Sequence, residues 1–119
     1  MNDSALVLPL DDIAADLATT GGKGASLARL AGAGLPVPPG FHVTTRAYRD
    51  FVQADGLDEE IRTALRAADP ADSIAAAFAG RQVPEAVAEA VAHAYRALSD
   101  GPVAVRSSGT AEDLPGMSF

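Results

Sequence analysis

The sequence predicts a mixed fold, α/β or α+β, helix-rich with a small sheet. Two observations predict it. Short apolar runs that stop at turn residues alternate with longer stretches of helical period. Their order is strand, helix, strand, several helices, strand, with no repeat period and no low-complexity tract.

Ala5 to Leu8 is an apolar run ending at Pro9 and reads as a strand. Asp11 or Asp12 is placed to cap a short helical turn carrying Ile13 and Leu17. A glycine loop follows, then a helix over Ala25 to Ala31 with Leu27, Leu30 and Ala31 on one face. Gly32 and Gly34 stop it. Leu35 to Gly40 holds three prolines and reads as an extended connector. Phe41 to Thr44 is a second strand, and Thr44 or Thr45 caps a helix with Tyr48, Phe51 and Val52 inward.

Asp55-Gly56 breaks the chain again. Leu57, Ile61 and Leu65 recur every four residues, with Asp58 and Arg62 paired outside. Asp69-Pro70 ends that helix. Ile74 to Phe78 suggests a short helix closed by Gly80. Pro84 starts a longer one with Val87, Val91, Tyr95 and Leu98 as its buried stripe. Asp100-Gly101 is a turn, and Pro102 to Val105 reads as a third strand.

The 119 residues suffice for one modest domain or one lobe of a larger one. Hydrophobic residues make up 48% but aromatics only 5%, so the core must be built from Ala, Val, Leu and Ile. A net charge of -7 argues against binding nucleic acid by phosphate neutralisation, and any anion site must be local. The absence of cysteine excludes disulfides and thiolate metal sites. No apolar run approaches the length of a membrane span, and a cytoplasmic protein is the expectation. The chain ends at Gly116-Met117-Ser118-Phe119, just after a dense polar loop, which reads as a fragment of something longer.

Lys23 is the only lysine beside eight arginines, and it lies within Gly21-Gly22-Lys23-Gly24. An ammonium is a compact charge that can follow a phosphate, whereas a guanidinium is a planar fork. Flanking glycines let the backbone approach a ligand, and the helix that follows would aim its first amides at an anion. Turn punctuation beside a solvated lysine fits the same residues. The motif is not a P-loop, because Leu17 and Gly24 stand where that motif needs Gly and Ser or Thr.

The second informative stretch runs from Val103 to Leu114. An apolar strand delivers Arg106 at its end, and Ser107, Ser108, Gly109 and Thr110 form a hydroxyl-rich loop after it. Strand ends in α/β proteins are common ligand sites, and Arg106 can meet a phosphate with two donors. Glu112 and Asp113 are placed to orient Arg106 or assist a metal. A helical turn capped by Thr110 is the alternative.

Gly21-Gly22-Lys23-Gly24-Ala25-Ser26-Leu27, the connector Gly34 to Phe41, Thr44-Thr45 and Val105 to Pro115 together resemble one family. It is the N-terminal ATP-binding region of phosphoenolpyruvate synthase, rifampicin phosphotransferase and, more distantly, pyruvate phosphate dikinase. The resemblance covers about Gly21 to Phe119, with a variable helical stretch between. Gly109 stands where alanine is more usual.

The resemblance implies that residues 1–119 are the N-terminal part of an ATP-grasp-like nucleotide domain. It implies that Lys23 and Arg106 contact the ATP phosphates, with Gly22, Ser107, Ser108 and Thr110 as further candidates. The family splits ATP to AMP and phosphate through a phosphohistidine on a separate domain, and the phosphoryl group passes to pyruvate or to a hydroxyl of the antibiotic. Neither His42 nor His93 matches that carrier. The Mg2+ and adenine ligands are expected further on, so no catalytic or metal residue is assigned within this chain. The chain alone is expected to be inactive as a phosphotransferase. A regulatory nucleotide-binding module without the chemistry is the rival reading.

Overall fold

The computed structural model describes residues 5–98 and 101–110. The expected roles of Asp100, Glu112 and Asp113 and the Pro115 to Phe119 ending lie outside the described residues. The architecture is α+β: two short strands and five α-helices among the described residues. β1 (Val7–Pro9) pairs antiparallel with β2 (Phe41–Val43), with Leu8 opposite His42.

Helix α1 (Leu17–Gly32) differs from the expected glycine loop followed by a helix. Asp16, rather than Asp11 or Asp12, is its N-cap. Its carboxylate accepts from the Thr19 amide at 2.9 Å, and the Thr19 hydroxyl reaches back to the Asp16 amide at 3.0 Å. Asp12 instead closes a tight turn, accepting from the Ala14 amide at 2.8 Å. Ile13 is fully exposed and contributes nothing to a core.

The helix breaks once, at Gly21 (φ 77°, ψ 173°), and restarts at Gly22. Its buried face consists of Thr20, Gly21, Gly24, Ala25 and Ala28, while Leu30 is exposed. Small residues let the helix approach the sheet closely, which displaces the expected leucine stripe. Leu8, Ala15 and Ala28 form the buried cluster beneath it, with Ala5 and Ala14 against it.

Helix α2 (Thr45–Gln53) is capped by Thr44, whose Oγ1 accepts from the Ala47 amide at 3.3 Å. Ala47, not Tyr48, is its most buried residue. Asp55 and Gly56 both take positive φ and turn the chain into α3 (Leu57–Ala64). There Leu57 and Ala64, seven apart, are buried and Leu65 is exposed, so the inward stripe follows two helical turns. Asp69-Pro70 begins α4 (Pro70–Ala79) rather than ending α3, because proline fits the first helical turn. Phe51 of α2 and Phe78 of α4 stack at 5.7 Å between centroids. Helix α5 (Glu85–Leu98) buries Val87 and packs near β1.

The expected third strand is absent among the described residues: Pro102 to Val105 joins no ladder, and Val105 is 92% exposed. A strand assignment needs a pairing partner, and the two-strand sheet is β1 with β2 alone. Tyr95 of α5 holds the start of this segment, its hydroxyl donating to the Gly101 carbonyl at 2.5 Å.

Candidate functional site

The glycine turn and the Arg106 loop come together. The Gly22 amide donates to the Gly109 carbonyl at 3.0 Å, and the Gly24 amide donates to Ser108 Oγ at 2.9 Å. Lys23 lies between these two bonds in sequence, and Arg106 lies two residues before Ser108. Both residues are exposed.

Helix geometry explains the contact. A helix that restarts after Gly21 leaves its first amides without partners inside the helix. Those of Gly22 and Gly24 are satisfied by the Arg106 loop. The expectation that these amides face a ligand is therefore corrected at two positions. The glycines serve close approach of protein to protein: a Cβ built on Gly21 falls 2.5 Å from Ser108 Oγ and 2.6 Å from its carbonyl oxygen. At Gly24 a Cβ would lie 2.9 Å from the Cβ of Thr20 and 3.2 Å from Nδ1 of His42.

Lys23 is the second residue of the restarted helix. A cation there opposes the helix dipole, so the position favours an arriving anion. Among the other candidates, Ser107 and Thr110 are exposed on the same loop, and Ser108 and Gly22 are engaged as described.

His42 is buried on β2, and its Nε2–H donates to the Leu10 carbonyl at 2.9 Å. The carbonyl can only accept, so this nitrogen carries the proton. The ring packs under Gly24 and supports the turn from below. His93 is exposed with Glu85, Glu89 and Arg96 along a shallow depression of about 510 Å³ on α5. A second depression of about 620 Å³ lies between α3 and α4 and is lined by Arg81, Glu60 and small residues. Neither is lined by Lys23 or Arg106.

Sequence reasoning missed Asp16, although an Asp with a Thr three residues on is a legible cap signal. It also missed what Gly21 and Ser108 do for each other, and no local pattern announces a contact between segments so far apart. Among the described residues no group of three or more His, Cys, Asp or Glu side chains is placed to hold a metal ion. No helix among them is long and apolar enough to cross a membrane.

Residues 17–119 match the family described as pyruvate phosphate dikinase, AMP/ATP-binding domain. A phosphoenolpyruvate synthase of Pseudomonas aeruginosa is 44% identical over 95% of this chain and 17% of its own length. A probable phosphoenolpyruvate synthase of Methanocaldococcus jannaschii is 43% identical over 87% of this chain and 10% of its own length. A phosphoenolpyruvate synthase of Deinococcus radiodurans is 40% identical, over 87% and 15%. The chain thus spans less than a fifth of each of these relatives. No solved structure matches it. With the family's matched span running through both the glycine turn and the Arg106 loop, the chain belongs to the pyruvate phosphate dikinase AMP/ATP-binding domain family.

Proposed function

We propose that this chain supplies the phosphate-gripping part of the nucleotide site of a dikinase-type phosphotransferase. The observation that carries the reading is the pair of hydrogen bonds joining the turn around Lys23 to the loop after Arg106. It brings an ammonium-bearing and a guanidinium-bearing segment together against a net charge of -7. Two cations on adjoining loops can hold a polyphosphate and neutralise charge as a phosphoryl group departs.

ATP is the ligand that the family description favours. In this reading the domain is ATP-grasp-like, and ATP is split to AMP and phosphate through a phosphohistidine on a separate domain. The names of the relatives favour pyruvate as the acceptor, over a rifamycin-like alcohol. Magnesium would accompany ATP. The described residues offer no metal-holding cluster, so no step is assigned to it here.

The test is ATP affinity and AMP release in the full-length protein, with pyruvate and a rifamycin supplied separately. Lys23→Ala and Arg106→Ala should each weaken ATP binding by roughly tenfold to a hundredfold, the range for losing a charged hydrogen-bonding partner. Unchanged affinity in both variants overturns the reading. Retained ATP binding without AMP release by the parent protein favours the regulatory module.

A further inference from the structure

We propose that Ser108 is a positioning residue: it caps the helix of Lys23 from another part of the chain and so fixes Lys23 relative to Arg106. The inference rests on the phosphate-gripping reading, and it assigns Ser108 a role other than touching phosphate.

An ordinary helix begins with a residue whose side-chain oxygen accepts from the amide two or three positions on. Gly21 holds that starting position for the restarted half of α1, with non-helical angles, and it has no side chain to offer. The amide three positions on belongs to Gly24, and it donates to Ser108 Oγ at 2.9 Å. The hydroxyl that a cap would normally carry is supplied across 84 residues of sequence.

It also sits where that residue's own side chain would start, 2.5 Å from a Cβ built on Gly21. Glycine at 21 and serine at 108 therefore form one device: the missing side chain leaves the space that the borrowed one fills. The Gly22 to Gly109 bond adds a second tie at 3.0 Å. With residues on both sides of Lys23 tied to residues 108 and 109, the backbone at Lys23 cannot move independently of the backbone just after Arg106.

Ser108 Oγ accepts from the Gly24 amide and keeps its own proton to donate, so the experiment must separate capping from phosphate contact. A phosphate ligand would be recognised through Lys23 and Arg106, with Ser108 holding the frame.

The experiment uses the full-length, nucleotide-free protein and reads hydrogen–deuterium exchange of the segment 21–25 by mass spectrometry. It is combined with ATP affinity for Ser108→Ala and Ser108→Thr. Ser108→Ala should speed exchange of that segment by roughly fivefold or more, as one hydrogen bond is lost. It should also weaken ATP binding and reduce the energetic coupling between Lys23→Ala and Arg106→Ala in a double-mutant cycle. Ser108→Thr, which keeps the hydroxyl, should restore both.

Unchanged exchange in Ser108→Ala overturns the proposal. Weakened ATP binding with unchanged exchange also overturns it, and makes Ser108 a direct phosphate contact. Faster exchange in Ser108→Ala, alongside full ATP affinity in both Lys23→Ala and Arg106→Ala, supports the cap and removes the phosphate-gripping reading alone.

Discussion

The amide of Gly24 and the hydroxyl of Ser108 meet at 2.9 Å although 84 residues separate them in sequence. This contact ties the first informative motif of the chain to the second. It depends on Gly21, because any side chain there would occupy the space of Ser108.

Gly21→Ala should therefore be costly. Its φ of 77° with ψ of 173° is a region open essentially to glycine, worth about 1–3 kcal/mol. The clash with the Ser108 backbone adds about 1–3 kcal/mol more. Gly34→Ala is the control: φ is +83° but no atom lies within 4 Å of the added carbon, so about 1–2 kcal/mol is expected. Urea denaturation of the two variants should show the larger loss at Gly21. Equal losses would mean that the contact with Ser108 carries no steric weight.

Much of the fold was legible in the sequence for local reasons. Proline and glycine marked the ends of the elements near Pro9, Gly32, Gly56 and Gly80, and Thr44 announced its helix. Long-range facts were not legible. The Pro102 to Val105 run has strand composition, but a strand exists only with a partner. Leu30, Tyr48 and Leu65 fit helical stripes, yet they are 44%, 58% and 60% exposed because α1 packs mainly through glycine and alanine, α2 buries Ala47, and α3 buries Leu57 and Ala64 instead. At the candidate site, Lys23 and Arg106 stood out by residue type and setting. The joining of their loops depends on a hydroxyl and a missing side chain that no local pattern links.

Charge-conserving exchanges test what each cation must be. Lys23→Arg places a planar fork in a turn whose neighbours are already tied down, and Arg106→Lys replaces two directed donors by a point charge. Each should lower ATP affinity by an order of tenfold in titration calorimetry. Parent-like binding in both would mean that only net charge matters.

Asp16 provides a pH test. Hydrogen bonds from the Thr19 amide and hydroxyl hold its carboxyl below the usual carboxylate range. A group depressed on folding stabilises the protein above its unfolded value, about 3.9, and loses that contribution as pH falls through the folded value. Asp16→Asn should melt below the parent at pH 7. The gap should close as pH drops below about 4. A gap of constant size would show that the charge plays no part in the cap.

Thr44 joins three elements. Its amide donates to the Leu6 carbonyl at 3.1 Å, its hydroxyl donates to the Ala5 carbonyl at 2.6 Å, and the same oxygen caps α2. The residue is 3% exposed, so Thr44→Val strands a partly buried carbonyl and a buried helix amide and should cost about 2 kcal/mol in urea denaturation. Thr45→Val, at a less buried site donating to the Ala18 carbonyl at 2.7 Å, should cost less.

The borrowed cap also sets an order of events during synthesis. When the ribosome has produced Lys23 and the rest of α1, the hydroxyl that completes the helix start has not yet been made. The early helix must wait, incompletely capped, while the strand partner and four further helices emerge. The nascent chain thus gains its paired cations only once Ser108 has emerged, after the β1–β2 pair and helices α2 to α5 have been translated.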